Sequence, residues 1–219
     1  NENPLGPSPK ALAAIKKFAK ESHLYPDGDA FYLREALAAK HHVKPEQIIF
    51  GAGSDDLNNF IMTAYAGAGR DVVVSRGSFI RYEQVAIISG ASVKRVPFKN
   101  FHHDVPALLS AIGPKTGVLC IANPENPLGT MIGRKLVDQL VRGVPNSTFL
   151  LLDEAYYEFA ADVPDYPASL QYLKKHDNVM VTRTFSKAYG LAGLRIGYGI
   201  TTPEIVETLN RIRPPFNVT

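Results

Sequence analysis

Apolar residues follow two rhythms along this chain. Short runs rich in branched and aromatic residues recur as "QIIFG", "DVVVS", "ASVKRV", "TGVLCIAN", "STFLLLDEA", "NVMVTRTF" and "RIGYGI", and each reads as a β-strand. Most are separated by stretches with helical spacing: "DDLNNFIMTAYA", "IRYEQVAIISG", "DVPALLSAI", "RKLVDQLVRG" and, last, "PEIVETLNRI". "SPKALAAIKKFAKE" predicts the first helix, with Ser8 as N-cap, Pro9 at the first helical position, and Leu12, Ile15 and Ala19 on one face. "YPDGDA" signals a turn before a second helix, "FYLREALAAKHH". Strands such as "FLLLD" are apolar at successive positions, as when helices cover both faces of a sheet. The alternation predicts one α/β domain, a mostly parallel central sheet with helices on both faces.

Bulk properties narrow the function classes. The 219 residues are 45% hydrophobic and 21% charged, ordinary for a globular chain able to bury a sizeable core. The net charge of +3 is mild and the basic residues are scattered, so neither a nucleic-acid nor a membrane partner is expected. No run approaches the ~18 consecutive apolar residues of a membrane span. No leader is recognisable before the first helix, and the single cysteine, Cys120 in "GVLCIA", predicts a buried thiol in a reducing compartment. A cytoplasmic location is the expectation.

Ligands of parallel α/β sheets bind beyond the carboxyl ends of the strands. Here four strand ends carry chemistry: "FGAGSDD", "ANPENPLG", "DEAYYEF" and "TRTFSKAYG". Lys187 lies among Thr184, Ser186 and Arg195, hydroxyl and guanidinium donors suited to a phosphate. The serine precedes the lysine, so the P-loop pattern is absent. Asp153 ends an apolar strand and needs a cationic or protonated partner if buried. Tyr156 adds a phenol nearby, and Asn126 an amide between two prolines. Taken singly, these are a surface lysine, a capping or arginine-paired aspartate and a rigid turn. Taken together they match pyridoxal 5'-phosphate. Lysine forms a Schiff base with its aldehyde, aspartate pairs with its ring nitrogen, and asparagine and tyrosine hydrogen-bond its phenolic oxygen. The start of the helix after "GAGSDD" offers free N–H groups to its phosphate.

These motifs, with "NENPLGPSP", "YPDGD" and "TFSKAYGLAGLRIGYG", resemble the fold type I pyridoxal-phosphate-dependent aminotransferases along nearly the whole chain. The resemblance implies that Lys187 is the Schiff-base lysine and Asp153 the partner of the pyridinium. Asn126 and Tyr156 would bind the phenolic oxygen; Ser54 and Asp55 would offer backbone N–H to phosphate; Thr184, Ser186 and Arg195 would bind it with side chains. Phe79 would stack on the ring. Tyr25 would reach the phosphate across a dimer interface, which implies a homodimer with shared active sites. Residues 1–24 would be an N-terminal arm and helix, 25–219 the large cofactor-binding domain, and a small domain with the substrate-gripping arginine would lie beyond Thr219. Glu125, Leu128, Gly77 and Asp56 depart from the family's usual residues, Glu125 standing where asparagine is common.

Within that family the likeness is strongest to the histidinol-phosphate branch. It implies transfer of an amino group from that amine to the 2-oxo acid 2-oxoglutarate, in histidine biosynthesis. An aromatic aminotransferase or a threonine-phosphate decarboxylase shares much of the motif set. A transcription regulator with an aminotransferase-like effector domain is the non-enzymatic alternative. The histidines of "FHHD" and "KHH" are adjacent rather than spaced for a metal, and are expected to be solvated. "GLAGLRIGYG" does not follow the dinucleotide fingerprint, so no nicotinamide cofactor is expected.

Overall fold

A computed structural model describes residues 1–218; Thr219, the last residue of the expected large domain, lies outside the described residues. All seven predicted strands form: β1 (Ile48–Ala52), β2 (Asp71–Ser75), β3 (Ser92–Val96), β4 (Thr116–Ala122), β5 (Phe149–Asp153), β6 (Val179–Thr184) and β7 (Ile196–Ile200). They make one sheet in the order β1-β7-β6-β5-β4-β2-β3. Neighbours in the β6-β5-β4-β2-β3 stretch pair in parallel, while β7 runs antiparallel to both β6 and β1. The reason is local. Between β6 and β7 the chain makes only a loop and the short 3-10 turn Ala192–Leu194, with no crossover helix to return it to the starting edge.

The helices are α1 (Pro9–Phe18), α2 (Phe31–His41), α3 (Ser54–Tyr65), α4 (Ile80–Ile88), α5 (Val105–Ala111), α6 (Arg134–Gly143), α7 (Tyr157–Ala160) and α8 (Pro203–Asn210). Strand alternation sends side chains to two cores. Ile49, Val72, Val74, Cys120, Leu151 and Met180 meet α3, α4 and α8 through Leu57, Ile61, Val85 and Leu209. Phe50, Val73, Ile121, Leu150 and Val181 meet α2, α5 and α6 through Leu37, Leu108, Val137 and Leu140. Cys120 is fully buried as expected, and burial pushes its thiol pKa far up.

Helix starts follow their sequence signals. Ser8 Oγ accepts from the Ala11 amide at 3.2 Å, with Pro9 first in α1, and Asp104 caps α5 through the Ala107 amide. In the "YPDGDA" turn, Asp27 accepts from the amides of Asp29 and Phe31 at 3.0 and 2.8 Å. The first helix departs from expectation. It stops at Phe18, Ala19 falls in a following 3-10 turn, and none of its residues is buried; Leu12 and Ile15 lie on its exposed surface. Among the described residues no helix is long and apolar enough to cross a membrane.

Candidate active site

Parallel strands end together, so whatever follows them shares one rim. Beyond the carboxyl ends of β4, β5 and β6 lies a cavity of about 290 Å³. Ten of the eleven sequence-chosen residues line it: Ser54, Asp55, Phe79, Asn126, Asp153, Tyr156, Thr184, Ser186, Lys187 and Arg195. Tyr25 does not. It is 83% exposed and stacks on Phe216, ring centroids 4.9 Å apart.

Asp153 ends β5 and is buried. Its Oδ2 accepts from the Tyr82 hydroxyl at 2.7 Å and its Oδ1 from the Ala155 amide at 3.1 Å. Burial raises its pKa, and the hydrogen bond from Tyr82 works against that rise. Among the described residues no lysine or arginine forms an ion pair with it. The carboxyl is therefore held in place by neutral donors, without an ion-pair partner.

Lys187 is half-buried in the loop after β6. Burial lowers its pKa first and Arg195 second, against a raising effect from Asp153 and Glu2. Its Nζ donates to the Asn1 carbonyl at 3.0 Å, 5.6 Å from the Tyr156 ring centroid. The Asn1 side-chain amide donates both to Asn126 Oδ1 at 3.2 Å and to Tyr156 Oη at 3.0 Å. Asn126 and Tyr156 can thus share one small polar partner within reach of Lys187. Burial raises the Tyr156 pKa.

The other end of the cavity is an anion cradle. No side chain caps the start of α3, whose N-cap Gly53 has φ 76°. A side chain at Gly53 would collide with the Arg195 guanidinium, so glycine lets the cation lie against the helix start. Arg195 Nη1 reaches Ser186 Oγ at 3.4 Å and Nη2 the Ala52 carbonyl at 3.2 Å. Ser186 N and the Ser186 hydroxyl both bond Thr184 Oγ1, at 3.1 and 3.0 Å. The Asp55 side chain takes no part in this cradle: both its oxygens accept from Arg81, at 2.7 and 3.0 Å.

Several participants escaped sequence reasoning. Tyr82 is fully buried in α4 yet aims its hydroxyl at Asp153. Its place one turn before Val85 and Ala86 on the buried face was the available signal. Asn1 and Glu2 also line the cavity; the arm is tied down where Asn3 donates to the Ala188 carbonyl at 3.0 Å. Gly190, φ 67°, permits this approach, because a side chain there would strike the Gly6 carbonyl. His103 corrects the expectation of solvated histidines: it is buried between Ser75 and Glu125. His41 is half-buried against Tyr198, while His42 and His102 are exposed. No cluster of three or more potential metal ligands occurs among the described residues.

Comparison with known proteins gives this geometry its context. The family described as aminotransferase class I and II matches residues 1–219. The chain belongs to that family. A histidinol-phosphate aminotransferase of Moorella thermoacetica is 46% identical over 219 residues, covering 100% of this chain and 56% of that protein. Histidinol-phosphate aminotransferase 2 of Pseudomonas fluorescens is 47% identical over 218 residues, covering 100% of this chain and 59% of its own length. Among solved structures, histidinol-phosphate aminotransferase from Sinorhizobium meliloti in complex with pyridoxal-5'-phosphate superposes with a TM-score of 0.94 at 35% identity, over 100% of this chain and 59% of that one. This member of the class I and II aminotransferases therefore spans about three-fifths of the length of the curated relatives it matches.

Proposed function

We propose that this chain is the cofactor-binding part of a pyridoxal-phosphate-dependent aminotransferase. Its amine donor would be L-histidinol phosphate and its acceptor 2-oxoglutarate. One observation carries the reading: Lys187, Asp153, Asn126, Tyr156 and the uncapped start of α3 open onto a single cavity. The residues fit the cofactor. Asp153 is a buried carboxyl without a cation and would meet the ring N–H. Asn126 and Tyr156 already share a polar partner and would take the phenolic oxygen. Arg195, Ser186 and the α3 amides would take the phosphate, and Phe79 would cover the ring.

When bound, pyridoxal phosphate supplies a carbonyl carbon and a protonated ring that accepts electron density from a substrate carbanion. Lys187 would do its part as the neutral amine, taking a proton from the α-carbon of the donor and passing it to the carbonyl carbon of the bound cofactor, and in the second half of the cycle delivering a proton to the α-carbon of the acceptor. Burial and Arg195 both favour that neutral form. Asp153 stabilises positive charge at the ring nitrogen, with Tyr82 fixing the carboxylate's direction. Tyr156 and Asn126 orient the ring oxygen. A second cavity of about 670 Å³ adjoins the first along Asn126, Tyr156 and Lys187, and offers the donor an approach to the lysine.

The likeness to the Moorella and Pseudomonas enzymes supports the donor. A cytoplasmic homodimer completes the proposal. Leu12, Ile15 and Phe18 of α1 are exposed, and Tyr25 stands away from its own chain's cavity, as a residue serving a partner's site would. Residues 1–24 would be the arm and 25–219 the large domain. The test uses the full-length protein and a panel of amine donors with 2-oxoglutarate. Histidinol phosphate should be the preferred donor, and Lys187→Ala should abolish both turnover and the absorption band of lysine-bound cofactor. Preference for aromatic donors, or carbon dioxide release without a keto product, would replace the donor assignment. Undiminished turnover in Lys187→Ala would refute the mechanism.

A further inference from the structure

The buried His103 belongs to a hydrogen-bonded chain outside the cavity. Ser75 Oγ lies 2.7 Å from His103 Nδ1, and His103 Nε2 lies 2.7 Å from Glu125 Oε2 and 2.9 Å from the Ala122 carbonyl. Both neighbours of Nε2 are acceptors, so Nε2 carries a hydrogen. Ser78 Oγ donates to the same Glu125 oxygen at 3.1 Å. Ser75, His103 and Glu125 are each less than 5% exposed. The serine hydroxyl is thus shut away from any substrate, and the resemblance to a nucleophile with its base is one of connectivity only.

What the chain joins is informative. Ser75 ends β2, and Ser78 immediately precedes Phe79, which lines the cavity. Glu125 immediately precedes Asn126, which lines it from another strand end. Resting on the proposed function above, we infer that Glu125, held by His103, is a positioning residue that clamps the Phe79 and Asn126 walls of the cofactor site at a set separation. Two covalent neighbours of the clamp, rather than the clamp itself, would touch the cofactor. Loss of the carboxylate need not harm the fold. His103 Nε2 keeps the Ala122 carbonyl, Glu125 Oε1 is buried without a hydrogen-bond partner, and the Ser78 hydroxyl, which loses its acceptor, is only partly buried.

The discriminating comparison is Glu125→Leu, similar in size without acceptors, against Glu125→Gln, which keeps an oxygen for His103 and Ser78. In the full-length protein, the Kd for pyridoxal phosphate should rise about tenfold in the leucine variant and stay within about twofold in the glutamine variant. Amide hydrogen exchange of the cofactor-free protein gives an independent reading. Ser78, which bonds the Ser75 carbonyl, and Gly129, which bonds the Glu125 carbonyl, should exchange about tenfold faster in Glu125→Leu alone, with the strands unchanged. Ser78→Ala removes one arm of the clamp without disturbing the core, and should raise the same Kd about threefold. Wild-type affinity and exchange in both Glu125→Leu and Ser78→Ala would overturn the inference. So would uniformly faster exchange in every element, which would mark Glu125 as a stability residue. Failure of the wild-type protein to bind pyridoxal phosphate would sink the proposed function instead, with the exchange comparison still deciding whether the clamp exists.

Discussion

At Asp153 a buried carboxyl meets a phenol instead of a cation. A carboxylate left in that state is costly, and the cost makes sense where a ring N–H is to be bound. Asp153→Asn should retain pyridoxal phosphate and lose turnover by roughly a hundredfold or more, the scale of a lost preorganised electrostatic contact; single-turnover kinetics on the full-length enzyme would measure it. His41 illustrates a different use of burial. Desolvation, then the Arg183 charge, lowers its pKa from 6.5 to about 4. The unfolded chain therefore binds more protons than the folded one in that interval, and stability should rise with pH between about 4 and 6.5. His41→Gln should flatten that part of the profile, as read from urea midpoints across the range. An unchanged slope would show that the histidine titrates normally.

At the scale of elements, the site depends on how the ends of β5 and β6 are locked. Opposite faces of those strands carry different duties. Asp153 and Thr184 face the cavity, whereas Glu154 and Arg183 make an ion pair buried beneath it. Arg183 donates twice to Glu154 Oε2, at 3.0 and 2.7 Å, and its guanidinium lies 3.4 Å from the Tyr157 ring centroid. Burial is the largest single influence and lowers the Arg183 pKa, but the charge and hydrogen bonds of Glu154, with Tyr198 and Tyr157, together raise it above its ordinary value. Arg183→Met would strand the Glu154 carboxylate and should cost about 3–5 kcal/mol, whereas adding Glu154→Leu should restore most of it. Equilibrium denaturation of both variants checks this; equal losses in the single and double variants would mean that the arginine acts by packing alone.

Strand and helix order was legible at this scale because each element carries its own periodicity. The reversal of β7 was less so. It follows from a missing crossover helix, and the sequence marks that only as two strand patterns close together. The Tyr82–Asp153 bond, 71 residues apart, and the Ser75–His103 bond, 28 apart, left no local trace. His103 was misjudged for the same reason: a histidine in a polar run looks solvated until another loop covers it.

For the whole molecule, the exposed row of α1 argues for assembly. Leu12 and Ile15 fall on one face as their spacing predicts, yet they stay 44% and 38% exposed among the described residues. Exposed apolar side chains clustered on one element mark an interaction surface. In the proposed homodimer they would be buried. Leu12→Glu combined with Ile15→Glu should shift the full-length protein from dimer to monomer in sedimentation velocity, and a dimer that persists would place the interface elsewhere.

By itself the sequence determined the elements and the chemical types at their ends, because periodicity and turn chemistry act between near neighbours. It also determined that Lys187, Asp153, Asn126 and Tyr156 each lie at or just beyond the end of an apolar strand. Only the tertiary structure decided that these ends meet around one cavity, that Tyr82 rather than a cation holds Asp153, and that His103 and Glu125 brace two of its walls. Burial and hydrogen bonding between distant residues are set by how the layers pack, and no local pattern encodes them.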